Sequence, residues 1–176
     1  MCGCGRRLKL SNLLSFIIMR LYVLLVALIV VADQLTKYWI TSTFTLYDSQ
    51  VVIPGFFNLV YVTNKGAAFS MFASVESPIR HYFFVSINII AFFGLSVAAF
   101  KMRKDHLFYL LSFALIAAGA AGNVIDRIRH GAVIDFLDFY FGSYHWPAFN
   151  VADSSICVGV AILFIANFLD LKMKKT

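Results

Sequence analysis

Apolar residues along this chain gather into four long stretches, Leu21–Ile40, His81–Phe100, Leu107–Asp126 and Phe149–Leu169. Each is about 20 residues long, the length at which a helix crosses a hydrocarbon core roughly 30 Å thick. The pattern predicts four transmembrane helices. Between the first two it changes character. Gln50–Ser70, "QVVIPGFFNLVYVTNKGAAFS", has β-branched and aromatic runs broken at Pro54-Gly55 and at Asn64-Lys65-Gly66, which predicts short strands joined by turns and a small sheet resting on the membrane surface. His130–Asn150 is too apolar to float in water and too short to span. It is expected to lie in the interface or dip into it, with Val133–Phe141 as a short helix or strand. No repeat, low-complexity run or linker divides residues 1–176. The fold class read from this is an all-α membrane protein: one four-helix bundle domain with a small β-rich loop region and an interfacial segment between the third and fourth spans.

Composition supports the membrane reading. Hydrophobic residues make up 61% of the chain and charged ones 14%, with a mean hydropathy of +0.82, too apolar for a water-wetted domain. A formal charge of +6 raises the possibility of a nucleic-acid partner, but that needs the basic residues on one water-facing surface. Here they fall in three small groups instead: Arg6, Arg7, Lys9 and Arg20; Lys101, Arg103 and Lys104; Lys172, Lys174 and Lys175. By the positive-inside rule both termini and the middle loop are cytoplasmic, and the loops 41–80 and 127–148 lie on the outer face. Tyr38, Trp39, Tyr144 and Trp146 then sit where interfacial aromatics belong. The first span is read as retained rather than as a cleaved signal, because it is long and runs into the charged "ADQLTK". Cys2, Cys4 and Cys157 show no ligand spacing, so neither a disulfide nor zinc is expected.

The acidic residues carry the functional argument. Of nine, Asp48, Glu76, Asp105 and Asp170 read as solvated loop charges. Asp33, Asp126, Asp135, Asp138 and Asp153 all fall at or just beneath the outer surface, on separate elements. A charge at mid-membrane costs at least about 2.5–3.5 kcal/mol, less near the interface, so such residues usually face the bundle interior and have a task there. Each also has a structural reading. Asp33 can pair with Lys37 at i,i+4. Asn123, Asp126 and Arg127 can meet around one turn, and Asn123 with Arg127 can equally form an interhelical hydrogen-bonding latch. Asp135 and Asp138 stand three apart in an apolar segment, and either can be the water-facing member. Asn150 suits a helix N-cap, which puts Asp153 at the third helical position, favourable for a carboxylate.

If Asp135 and Asp153 approach to about 4 Å, their repulsion is of order 4 kcal/mol at an effective dielectric of 20, so they hold one proton between them near neutrality. One is then acid and the other base, which suits water attack on a carbonyl and protonation of a departing amine. No H-E-x-x-H is present, and His81, His106, His130 and His145 are scattered over both sides, which argues against a metal site. Ser70 and Ser154 lack a G-x-S-x-G elbow and a free base. The main rival is a small proton- or ion-coupled transporter, since membrane acids also mark ion paths. Span two offers only Ser86, Asn88 and Ser96, and no path to the inside is visible. A non-catalytic assembly factor is a third reading; it should tolerate isosteric loss of the acids.

"DQLTK" (33–37), "NKGAAFS" (64–70), "GNVIDR" (122–127), "VIDF" (133–136) and "PAFNVADSSICVG" (147–159) resemble, in order and spacing, the motifs of lipoprotein signal peptidase, or signal peptidase II. The resemblance implies a monomeric aspartic endopeptidase of the bacterial inner membrane with its active site on the extracytoplasmic side. Its substrates would be diacylglyceryl prolipoproteins, taken from the lipid phase and cut before the lipidated cysteine, and no cofactor is implied. On that match Asp135 and Asp153 are the catalytic pair. Asp33, Lys37, Asn64, Gly66, Asn123, Asp126, Arg127 and Asn150 support it or line the substrate site, with Asn64 and the backbone at Gly66 expected to hydrogen-bond the substrate and the first outer loop to close as a lid. Two features depart from the family: Ala118-Gly119 stands where Gly-Gly is usual, and the leader Met1–Phe16 is additional.

Overall fold

A computed structural model describes the backbone of residues 4–66, 78–101 and 107–173, and the side chains of 15–66, 79–101 and 107–169. Ser70, Glu76, Arg103, Lys104, Asp105, His106, Lys174 and Lys175, the Ala67–Ser70 part of the second motif and the side chains of Cys2, Cys4, Arg6, Arg7, Lys9, Asp170 and Lys172 lie outside the described residues. Four helices dominate: α1 (Cys4–Thr43), α2 (Pro78–Lys101), α3 (Leu107–His130) and α4 (Val151–Met173). Each contains a stretch long and apolar enough to cross a membrane: Ser15–Thr43, Ile79–Lys101, Leu107–His130 and Val151–Leu169. The helices alternate in direction, and α3 is the central one, packing against the other three. The helix of α1 begins well before the predicted Leu21, inside the additional leader. At 40 residues it is about 60 Å long, roughly twice the hydrocarbon thickness.

The sheet is larger than the sequence suggested. Strands β1 (Ser49–Ile53), β2 (Phe57–Asn64), β3 (Val133–Phe141) and β4 (Tyr144–His145) form one antiparallel sheet in that order. The segment between α3 and α4 is therefore a strand, and it pairs in the sheet's interior with Asp135 opposite Val62 and Asp138 opposite Asn58. Its entry is set by Gly131, which closes α3 at φ +72° with its N–H on the Arg127 carbonyl, a left-handed cap a side chain would strain. The chain then returns along β3: Phe149 donates to Leu137 O at 3.1 Å and accepts from Phe136 and Leu137 N–H at 3.0 and 2.9 Å. That pairing keeps Phe149 out of the helix, so α4 starts at Val151 rather than at the predicted Phe149.

The seam between α3 and α4 is very close. A Cβ on Gly119 would lie 2.3 Å from the Ala152 carbonyl oxygen, and one on Gly159 2.9 Å from the Ser112 carbonyl oxygen. Ala118 is fully buried with its methyl accommodated. The departure from Gly-Gly thus falls on the residue that can carry a side chain, and the contact that cannot is kept at Gly119.

Candidate active site

At the sheet end of the bundle, the helices α1, α3 and α4 and the strands β2 and β3 bring their polar side chains together. From α1 come Asp33 and Lys37, 0% and 2% exposed. Their i,i+4 spacing gives an ion pair at 2.8 Å, but the Lys37 ammonium also lies 2.7 Å from Asp126 on α3, so the pair predicted within one helix is a bridge between two. Gln34 adds to the bridge: its amide donates to Asp126 Oδ1 at 2.9 Å and to Asp33 Oδ2 at 3.2 Å. The sequence reading passed over Gln34, although a polar residue beside two charged ones in an apolar span was the available signal.

The two bridged acids also grip backbone. Asp126 Oδ2 accepts the N–H of Ile134 at 3.1 Å, and Asp33 Oδ1 accepts the N–H of Ala152 at 2.9 Å. Ile134 immediately precedes Asp135 on β3, and Ala152 immediately precedes Asp153 on α4. Asn150 ties the same two acids from the other side. Its amide donates to Asp135 Oδ1 at 2.7 Å and to the Ile134 carbonyl at 3.1 Å. Its side-chain oxygen caps α4 by accepting from the N–H of Asp153 at 2.9 Å, the N-cap geometry the sequence predicted. Asn123 donates to Asp153 Oδ1 at 2.8 Å. From one turn of α3, Asn123 and Asp126 share Lys37, whose ammonium lies 3.5 Å from Asn123 Oδ1 and 2.7 Å from Asp126 Oδ2, while Arg127 reaches Gly66 instead. Arg127 donates to the Gly66 carbonyl at 3.0 Å and lies over the Phe84 ring. Asn64 accepts the Gly66 N–H at 2.9 Å and hydrogen-bonds Asp135. The Gly66 N–H and carbonyl are thus both engaged within the protein, so its visible task is to hold the end of β2.

Asp138 goes elsewhere. Residues three apart on a strand face opposite ways, and Asp138 accepts from Asn58 Nδ2 at 2.9 Å and meets His145 Nδ1 at 2.9 Å. It stitches β2, β3 and β4 together and leaves Asp135 as the β3 acid directed at the helices. Asp135 is 2% exposed. Burial, reinforced by the nearby Asp153 carboxylate, pushes it up to about 7, against the hydrogen bonds from Asn150 and Asn64 and the charge of Lys37. Asp153 and Asn64 are only partly buried, which makes their side the mouth of the site. Among the described residues, no three His, Cys, Asp or Glu side chains are grouped to hold a metal ion.

Four apolar spans with a carboxylate-rich polar site at one end define a multi-pass membrane protein whose buried charges are gathered rather than dispersed. The family model described as Signal peptidase (SPase) II matches residues 25–169. Two lipoprotein signal peptidases are similar to this chain. That of Geobacter metallireducens is 46% identical, covering 82% of this chain and 88% of its own, and that of Geobacter sulfurreducens is 50% identical, covering 77% and 83%. A bacterial membrane enzyme solved by the in meso method at 2.3 Å resolution superposes with a TM-score of 0.74 at 39% identity, covering 87% of this chain and 90% of that one. The chain belongs to the signal peptidase II family, a multi-pass bacterial membrane peptidase.

Proposed function

We propose that this protein is an aspartic endopeptidase of the bacterial inner membrane. It removes the signal peptide from diacylglyceryl prolipoproteins by cutting on the N-terminal side of the lipidated cysteine. The observation that carries the mechanism is the placing of Asp135 and Asp153 on separate elements, joined through Asn150, and it is supported by the burial and neighbouring carboxylate that push Asp135 up to about 7. Asp135 carries the shared proton and Asp153 is the base. A water between them attacks the scissile carbonyl as Asp153 takes its proton, and Asp135 supports the oxyanion that forms. Collapse of the tetrahedral species expels the amine, which leaves protonated by the pair. Asp126 is assigned a supporting role because both of its oxygens are already engaged by Lys37, Gln34 and Ile134.

The sheet end is taken as the extracytoplasmic side, because Arg20 on α1 and Lys101 at the end of α2 lie toward the opposite end. The substrate's signal helix stays in the lipid phase while its cleavage segment reaches the mouth at Asp153 and Asn64. The test is to express Asp135→Asn and Asp153→Asn separately and follow processing of a diacylglyceryl prolipoprotein in membranes. Both variants are expected to insert normally and to accumulate uncleaved precursor. Cleavage at the unmodified rate by either would overturn the assignment of the pair.

A further inference from the structure

The bridge beneath the two acids has a job of its own. Asp33 and Asp126 each bond the backbone N–H of the residue just before one reacting acid, and they are tied to each other by one ammonium and one amide. The path from Asp153 to Asp135 is thus Ala152 N–H, Asp33, Lys37 with Gln34, Asp126, Ile134 N–H. Each of these links is a hydrogen bond or ion pair of 2.7–3.2 Å. Asn123 adds a parallel branch that also ends on Lys37, donating to Asp153 Oδ1 at 2.8 Å and accepting from Lys37 Nζ at 3.5 Å. We infer that Gln34 and Lys37 are positioning residues that fix the separation of Asp135 and Asp153 by cross-linking the two carboxylates that hold their backbones.

The inference rests on the two-carboxylate reading. Gln34 is the informative half of the bridge because it is neutral. Removing it changes distance without changing the field from Asp33 and Lys37 on α1, Asp126 and Arg127 on α3, or the reacting acids themselves. Loss of Lys37 alters both at once. A looser bridge lets Asp153 recede from Asp135, and the repulsion that helps hold the Asp135 proton weakens. The Asp135 titration then moves to lower pH, and with it the alkaline limit of activity. A substitution that only weakened packing would lower thermal stability and leave the titration where it was.

The test uses the full chain in detergent micelles with a synthetic diacylglyceryl prolipopeptide, comparing wild type with Gln34→Met, which is close in size and suits an apolar span. Expected are a kcat lower by about 10- to 100-fold, KM within about twofold, and an alkaline limb displaced to lower pH. Gln34→Glu supplies a hydrogen-bond donor to Asp126 only while protonated. It should outperform Gln34→Met at acid pH and lose that advantage as pH rises. Infrared titration of the carboxyl band, assigned with Asp135→Asn, reads the same shift without turnover. A wild-type chain that failed to cleave would remove the functional reading, yet the infrared midpoint would still decide this one. Superimposable midpoints and kcat profiles for wild type and Gln34→Met, with only a lower Tm, would overturn it.

Discussion

The two ends of the bundle hold the same helices together by different means. Away from the sheet, α1, α2, α3 and α4 meet through Tyr22, Ala99, Tyr109, Leu110, Phe113, Ala114, Ala117 and Ala166. At the sheet end, α1, α3 and α4 meet through Asp33, Lys37, Gln34, Asn123, Asp126, Asn150 and Asp153. Lipid tails are as apolar as these side chains, so no water-expelling force drives helix association in the membrane, and van der Waals fit carries the first contact. Such a contact fixes which helices are neighbours. It tolerates small slips, whereas a buried ion pair with hydrogen bonds on both sides does not. The apolar end determines that the elements meet, and the polar end determines at what distance.

Breaking the polar end at the proposed catalytic pair, Asp135 and Asp153, has the largest expected effect. Asp153→Asn and Asp135→Asn each lower cleavage of a diacylglyceryl prolipopeptide by about 10³-fold or more, the scale of losing an acid–base group together with its charge. Phe113→Leu at the apolar end is expected to leave kcat within about twofold. A large kcat loss from Phe113→Leu, measured on protein of normal abundance, would show that the ends are not separable.

The second effect runs in the opposite sense, toward stability. Asp135 titrates near 7 in the fold against an ordinary 3.8. Below about pH 4 both folded and unfolded chains carry the proton, and the difference is nil. Between 4 and 7 the folded chain keeps a proton that the unfolded chain has lost, so stability falls as pH rises, and above 7 the loss is complete. Asp135→Asn removes it, and Asn keeps an oxygen to accept from Asn150. At pH 8 the variant should be more stable than wild type by about 2–4 kcal/mol, while at pH 4 the two should melt together. Thermal unfolding at the two pH values checks this, and an equal shift at both would assign the effect to something other than titration.

The seam joining the two ends comes third. Gly119→Ala places a methyl against the Ala152 carbonyl, Ile156 and Ser155, and a backbone oxygen cannot rotate away. Pushing α4 off α3 costs about 1–3 kcal/mol. Because Ala152 is the residue that Asp33 holds, cleavage should fall as well. Ala118→Gly, which opens no clash, should cost about 1 kcal/mol in helix propensity together with the packing of one buried methyl, with kcat kept. Equal kcat in the two variants would show that the seam does not transmit to the site.

What could be read from sequence follows the same division. The four spans were legible because hydrophobicity over about 20 residues is a bulk property. The Asn150 cap and the turn at Asn64-Lys65-Gly66 were legible because their chemistry is local. Val133–Phe141 was not decidable between helix and strand, since a short apolar run fits either. That single ambiguity hid the separation of Asp135 from Asp138, which a period of two puts on opposite faces. Gln34 could be picked out as a polar residue in an apolar span, but its partner on α3 and the second partner of Lys37 were out of reach for a different reason. Their contacts join α1 to α3 across about 90 residues of chain, a separation that no local pattern encodes.

The smallest expected effect tests whether the apolar end matters beyond proximity. The Tyr22 hydroxyl lies 2.8 Å from Ser96 Oγ, joining α1 to α2 far from the site. Ser96 already donates to the carbonyl of Phe92 at 2.7 Å within its own helix, so in this pair Tyr22 is the donor. Tyr22→Phe keeps the ring in the core and removes one hydrogen bond, leaving the serine still bonded to its helix. Interhelical hydrogen bonds in membranes average about 0.6 kcal/mol, so Tm should drop by a degree or two, with kcat, KM and the pH profile unchanged. A displaced pH profile in Tyr22→Phe would mean that the α1–α2 contact also sets the tilt of α1. The bridge at Lys37 would then inherit its geometry from the apolar end rather than impose it.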